Sequence, residues 1–151
     1  MARILIVPCG CRGRMLAREL VDAGHAVRGT TRDPEHAPAI REAGAEPYIG
    51  DPDRIGTLMD GLVGVTVVCW LMGTIPVEEL HAGRLRMLWE KLVDTPVRGV
   101  LYEGALPEGE QVARTAADTW QIPLEVLAGD PLDHAAWLRS ARAAVDRLLG
   151  L

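Results

Sequence analysis

The amino-acid sequence predicts an α/β domain in which a doubly wound, parallel, six-stranded sheet lies between two layers of helices. Predicted strands alternate with predicted helices six times along 151 residues, and residues 4–7 and 65–72 are the clearest continuous apolar runs. Continuous apolar runs are typical of strands that are buried on both faces, and parallel strands need crossover helices, which are right-handed. The length corresponds to one domain, residues 1–151.

Apolar runs mark two of the six predicted strands. The first begins at Ile4 and ends before Pro8, and Gly73 ends the longest run, which predicts a central strand. The six predicted strands cover residues 4–7, 25–30, 46–49, 65–72, 97–102 and 124–127.

The predicted helices begin and end at residues with capping chemistry. The first follows Gly10 and Gly13 and ends at Gly24, which we expect in a left-handed conformation. Asp33 and Asp133 are predicted N-caps because their carboxylates can accept from free backbone amides. Helices are predicted over residues 33–44, 53–61, 76–93 and 108–120, and a last helix starts at Asp133.

The net charge of −5 argues against nucleic-acid or anionic-membrane partners, which need a basic face. No apolar run is long enough to span a bilayer, and the N-terminus does not resemble a signal peptide. The three cysteines are too few for a secreted disulfide framework. The sequence therefore predicts a cytoplasmic protein.

The loop after the first strand has the composition of a phosphate-binding loop. Residues 7–13 read Val-Pro-Cys-Gly-Cys-Arg-Gly and lead directly into a helix. Glycines allow a phosphate to approach the backbone, and a helix N-terminus offers free N–H donors and partial positive charge. This is the physical basis of dinucleotide binding in doubly wound sheets.

With this loop, the chain resembles the atypical and extended short-chain dehydrogenase/reductases, including NmrA-like and NAD-dependent epimerase/dehydratase-like proteins. Their G-x-x-G-x-x-G pattern falls on Val7, Gly10 and Gly13, so its last two glycines match. Similar segments follow in order along nearly the whole chain: residues 17–27, 31–34, 50–53, 71–73 and 95–102. The resemblance implies a Rossmann fold and an NAD(P) site.

The chain also departs from this family pattern. Val7 and Pro8 replace the tight-turn glycine and its neighbour, which predicts an altered loop and leaves cofactor binding open. The family's catalytic Ser would fall near Glu103 or Gly104, and its Tyr-x-x-x-Lys has no counterpart because the only lysine is Lys91. The sequence thus resembles the cofactor half of the family, truncated and without its chemistry half.

The resemblance and the residue types together predict NADP in preference to NAD. NAD sites usually place a carboxylate at the end of the second strand, whereas Thr31 and Arg32 could bind a 2′-phosphate here. The alternative is that Arg32 is an ordinary surface arginine. Asp51 either accepts from the adenine amino group or only shapes a turn. The predicted cofactor-binding residues are Gly10, Cys11, Arg12, Gly13, Thr31, Arg32, Asp51, Pro52, Leu71, Met72 and Gly73.

The three cysteines have two interpretations. Cys9 and Cys11 lie in the glycine loop and Cys69 in the fourth strand, next to the first in this topology, so the thiols could form a redox pair or a soft-metal site. Their spacing is not typical of zinc ligands, and buried core thiols are the alternative. We predict no metal site.

A few further side chains are candidates for chemistry. Trp70 either walls a nicotinamide pocket or fills the core, and Glu103 is the one candidate acid or base. The remaining tryptophans and all four histidines are predicted to be packing or surface residues, and no catalytic residue is assigned.

Three functional hypotheses remain from the sequence. The first is an NADP(H)-binding sensor or regulatory module that lacks the usual catalytic residues. The second is a small NADP-dependent oxidoreductase or epimerase-like enzyme with unusual catalytic residues. The third is a scaffold that no longer binds dinucleotide and self-associates, with the apolar side of the last helix as a possible homodimer surface.

Overall fold

The computed structural model describes residues 1–151 and contains one sheet of six parallel strands. The strands lie in the order β3-β2-β1-β4-β5-β6, which is that of the Rossmann fold. The predicted doubly wound sheet is therefore confirmed. The strands are β1 (Arg3–Val7), β2 (Ala26–Thr31), β3 (Glu46–Ile49), β4 (Val67–Leu71), β5 (Gly99–Glu103) and β6 (Leu124–Val126).

Helices cover both faces of the sheet, so the domain has three layers. The helices are α1 (Cys11–Asp22), α2 (Ala37–Glu42), α3 (Glu78–His81), α4 (Gly83–Leu92), α5 (Pro107–Trp120) and α6 (His134–Leu148). Side chains of β1 alternate between two cores: Ile4 and Ile6 contact α1 and α6, whereas Leu5 and Val7 belong to the core under α4 and α5. None of the helices combines the length and apolar composition that a bilayer crossing needs.

Most predicted helix ends coincide with capping residues in the structure. The Asp133 carboxylate accepts from the Ala136 amide at 3.2 Å and caps α6. The Asp33 carboxylate accepts from the Glu35 amide at 2.9 Å, but it caps a 3-10 turn, Pro34–His36, that precedes α2. Gly24 and Gly44 follow their helices with φ of +96° and +92°, where a side chain would be strained.

The predicted helix over residues 53–61 is wrong. Two short 3-10 turns, Ile55–Leu58 and Asp60–Leu62, replace it. The Thr57 hydroxyl donates to the Arg54 carbonyl at 2.7 Å, and the Tyr48 hydroxyl donates to the Thr57 carbonyl at 2.7 Å. These side chains occupy carbonyls that an α-helix would use, and such local bonds compete with helix formation.

The predicted helix over residues 76–93 is interrupted. It begins at Glu78 and breaks at Ala82, whose φ of −133° and ψ of −98° are not helical. The indole N–H of Trp70 donates to the Leu80 carbonyl at 2.9 Å, so this carbonyl is diverted from the helical ladder. A contact between a strand and the helix, which sequence periodicity does not report, therefore divides the helix into α3 and α4.

The apolar side of α6 packs within the chain. Trp137, Ala141 and Val145 are buried in the core that α6 shares with α1 and the sheet. The face that the sequence suggested for self-association is thus covered by the fold itself.

Candidate functional site

The glycine loop lies at the carboxyl edge of the sheet, where the order of strands reverses between β1 and β4. Gly10 is the N-cap of α1, and a Cβ added there would meet no atom within 4 Å. At Gly13 an added Cβ would lie 3.0 Å from the Pro8 carbonyl oxygen and 3.1 Å from the Ile6 side chain. Gly10 is therefore open for close approach from outside, whereas Gly13 allows α1 to pack closely on β1.

A cleft of about 250 Å³ lies in front of this loop, and we call it the loop cleft. It brings together predicted residues from the glycine loop and from the end of β4, and the segment before α6 forms its outer wall. Its lining residues are Pro8, Gly10, Cys11, Arg12, Gly13, Leu71, Thr74, Ile75, Pro131, Leu132 and His134.

The Arg12 side chain does not point into open solvent. Its Nη1 lies 2.6 Å from both carboxylate oxygens of Glu103, and the two side chains are only 11% and 5% exposed. Glu103 ends β5, so the ion pair crosses the carboxyl edge from α1 over β4. Arg12 is one of the predicted cofactor-binding residues, and in the structure its charge is paired with that of Glu103.

Two further donors hold the Glu103 carboxylate. The Trp137 indole N–H donates to Oε2 at 2.7 Å and the Gly73 amide donates to Oε1 at 3.1 Å. The Arg12 guanidinium also lies over the Trp137 ring, 4.9 Å from its centroid. A Cβ at Gly73 would overlap the Glu103 carboxyl group, so a glycine is needed at this position.

The end of β2 presents one uncommitted cation. Arg32 is exposed, and its guanidinium makes no hydrogen bond or ion pair in the structure. The Thr31 hydroxyl, in contrast, is buried and engaged with the backbone of Asp33 at 3.1 Å. The Arg32 guanidinium is therefore free to meet an anion at the end of β2, whereas Thr31 shapes the turn that presents it.

The remaining predicted residues divide between turn and core. The Asp51 carboxylate accepts from the Asp53 amide at 2.9 Å, which is the turn role. Pro52 is buried beside it. Leu71 lines the loop cleft, but Met72 points into the core under α4 and α5 and does not reach the site.

Two of the three cysteines, Cys9 and Cys69, lie near each other in the core, and the third, Cys11, is exposed. Cys9 and Cys69 are buried in the same core, and burial raises the pKa of each thiol to about 12. For Cys9 the nearby charge of Arg14 acts to lower the pKa, but the effect of burial is larger. Cys11 is exposed at the loop cleft, and no cluster of side chains in the chain could hold a metal ion.

Trp137, and not Trp70, lies at the carboxyl edge of the sheet. Trp70 is wholly buried in the core on the far side of the sheet, so it does not wall a cofactor pocket. Trp137, predicted to be a packing residue, lies at the carboxyl edge and binds Glu103. The signal in the sequence was its place in the first turn of the helix after the last strand, because a buried indole N–H needs an acceptor.

His81 and Tyr102 form a second buried polar pair. The His81 Nδ1 lies 2.6 Å from the Tyr102 hydroxyl, and its Nε2 lies 2.8 Å from the Ile75 carbonyl oxygen. Burial, with a smaller effect of the Glu110 charge, raises the pKa of Tyr102 to about 12. The predicted surface or packing role of the histidines holds for His81 as a packing residue with both ring nitrogens engaged.

The chain shares its fold with solved reductases. It is 18% identical to a triphenylmethane reductase of Citrobacter sp. complexed with NADP(H), with a TM-score of 0.68, over 85% of this chain and 49% of that one. It is 19% identical to the NADPH-dependent quinone oxidoreductase of Escherichia coli complexed with NADPH, with a TM-score of 0.68, over 84% of this chain and 48% of that one. A putative NAD-dependent epimerase/dehydratase of Bacillus halodurans gives a TM-score of 0.59 and 18% identity over 98% of this chain and 64% of that one.

At these identities the likeness establishes a common Rossmann fold, and the chain spans about half the length of the two reductases. No protein-family model matches the chain. An uncharacterized protein of Schizosaccharomyces pombe is 42% identical over 53 residues, which are 35% of this chain and 18% of that protein.

Proposed function

We propose that this protein binds NADP(H) at the carboxyl edge of its sheet and acts as a sensor or regulatory module. The observation that carries the proposal is the loop cleft, which places the open backbone of Gly10 and the N-terminus of α1 at the switch point of the sheet. In open α/β sheets this crevice is where ligands bind, and the helix N-terminus favours a diphosphate.

The preference for NADP rests on the end of β2. The residue at the strand end is Thr31, not a carboxylate, and the adjacent Arg32 guanidinium is exposed and unpaired. A guanidinium can donate two parallel hydrogen bonds to a 2′-phosphate, which NAD lacks. Arg32 would therefore bind the 2′-phosphate, while the amides of the glycine loop would bind the diphosphate.

The sensor role is favoured over catalysis by the state of Glu103. A general acid or base must reach the substrate proton, but the Glu103 carboxylate is buried and bound to Arg12, Gly73 and Trp137. Tyr102 is bound to His81, and Lys91 is exposed on α4, away from this edge. When bound, NADP(H) supplies or accepts a hydride, and none of these side chains is free to move the accompanying proton.

The test is a calorimetric titration of the full chain with NADPH and NADH, repeated with Arg32→Ala. We expect NADPH to bind more tightly than NADH, and Arg32→Ala to lose about tenfold of NADPH affinity, since a charged hydrogen bond contributes about 1.5 kcal/mol or more. Affinity for NADH should stay unchanged.

Arg18→Ala is the matched control. Arg18 is exposed, unpaired and on α1, about 10 Å along the helix from Cys11. The Arg18→Ala substitution removes the same charge without changing the end of β2. An equal loss in both variants, or an unchanged NADPH preference in Arg32→Ala, would refute the role of Arg32. No binding at millimolar cofactor would favour the non-binding scaffold.

A further inference from the structure

The Arg12–Glu103 ion pair divides the carboxyl edge of the sheet into two small clefts. The loop cleft, about 250 Å³, lies on the Arg12 side. A second cleft of about 260 Å³ lies on the Glu103 side, over the ends of β5 and β6, and we call it the β5 cleft. Pro131 lines both, so the clefts are neighbours separated by the ion pair and its supports.

The Arg12–Glu103 ion pair, with the groups that hold it, forms a barrier between the two clefts. Its position matters because a dinucleotide crosses the carboxyl edge of the sheet in a fixed direction. Its diphosphate lies at the N-terminus of α1, its adenosine half extends toward β2, and its other half extends toward β4 and β5. The Arg12 guanidinium meets the Glu103 carboxylate on the path of the nicotinamide half. Each cleft alone is smaller than the roughly 300–1,000 Å³ of ordinary ligand pockets.

The barrier is also firmly held. Glu103 accepts hydrogen bonds from the Trp137 indole and the Gly73 amide in addition to Arg12, and Trp137 is buried in the core beneath α6. Opening a path for a nicotinamide ring would leave buried polar groups without partners, which is unfavourable.

We infer that the site takes the adenosine 2′-phosphate and diphosphate portion of the cofactor and leaves the nicotinamide ring outside, in solvent. The inference rests on the proposed function. Its consequence is a site that responds to the total concentration of NADP(H) and not to its redox state, because the part of the molecule that changes on oxidation makes no enclosed contact.

The experiment compares three ligands by calorimetry on the full wild-type chain: NADP⁺, NADPH and ADP-ribose 2′-phosphate, which is NADP without nicotinamide. We expect the three dissociation constants to agree within about threefold. An NADPH affinity at least tenfold higher than that of ADP-ribose 2′-phosphate would overturn the inference while leaving NADP(H) binding intact. Failure of all three to bind would overturn both.

A second measurement follows the ring itself. The dihydronicotinamide of NADPH fluoresces at a wavelength that depends on its surroundings, and an enclosed ring emits farther to the blue. We expect saturating protein to leave the emission maximum where it is in buffer. A blue shift at saturation would show that the ring is enclosed, and the inference would then be wrong.

Discussion

Glu103→Gln should destabilise the fold much more than loss of an ordinary surface charge. The substitution keeps the shape of the side chain but removes the charge that faces the Arg12 guanidinium. One amide oxygen remains to accept from Trp137 or Gly73, and the amide NH₂ cannot accept from the other. A buried guanidinium and one buried N–H donor are therefore left without full compensation.

The expected loss of unfolding free energy in Glu103→Gln follows from the burial of the Arg12–Glu103 pair. Removing one partner of a buried ion pair costs about 3–5 kcal/mol. Since the Arg12 side chain keeps 11% of its surface exposed at the loop cleft, we expect a loss near the lower end, about 3 kcal/mol. In a domain of this length about 1 kcal/mol lowers Tm by roughly 2–4 °C, so Tm should fall by about 6–12 °C.

The measurement is urea and thermal unfolding followed by circular dichroism, with Glu125→Gln as the matched control. Glu125 also accepts from an arginine, Arg147 at 2.7 Å, but these side chains are 29% and 59% exposed. An exposed pair contributes at most about 1 kcal/mol. The reasoning about Glu103 is refuted if the two variants lose the same free energy of unfolding.

Three further predictions concern the loop and the thiols. One thiol of the native protein should react quickly with a thiol-specific disulfide reagent, and three thiols should react in denaturant. Cys11→Ser should remove the fast reaction, and two fast thiols in the native protein would contradict the burial of Cys9 and Cys69. Burial raises the pKa of Cys69 to about 12 in the folded protein, so the unfolded chain loses the thiol proton at lower pH. The contribution of this thiol to the free energy of unfolding is therefore complete below about pH 9 and is lost as the pH rises toward 12. Urea titrations between pH 9 and 10.5 should therefore show a fall in unfolding free energy that is shallower by up to about 1.4 kcal/mol per pH unit in Cys69→Ala, and an unchanged slope would count against it. Gly13→Ala should cost about 1–3 kcal/mol of stability because its Cβ meets Pro8 and Ile6, whereas Gly10→Ala should cost less than about 1 kcal/mol and weaken NADPH binding; equal stabilities would refute the distinction.

The fold was predictable because its signals are local and repeated. The central strands β1 and β4 are largely apolar runs, and the capping residues Gly24 and Asp133 lie where helices end and begin. These features depend only on neighbours in the chain. The errors fall where a distant side chain competes for a backbone carbonyl: Tyr48 at Thr57, and Trp70 at Leu80.

The candidate site was predictable only in its backbone part. The glycine loop and Leu71 come together as expected because the topology determines where the ends of β1 and β4 lie. The side chains were harder. Arg12 and Glu103 are separated by 91 positions, and no periodicity reports that they form an ion pair. The alternation of side chains along β4 places Trp70 on one face of the sheet. Only the packed structure shows that this face is the one covered by α4 and α5.

The ion pair also determines which groups could supply charge to a bound dinucleotide. Arg12 lies in the glycine loop, yet its charge is balanced by Glu103. The loop cleft therefore offers mainly backbone amides and the dipole of α1, whose first turn holds no acidic residue. Amides bind a diphosphate equally well in NAD and in NADP. Under the proposed function, Arg32 at the end of β2 would therefore provide the discrimination between the two cofactors, because its guanidinium has no partner. For this reason loss of Arg32 should alter selectivity, whereas loss of Arg12 should act first on the stability of the edge of the sheet.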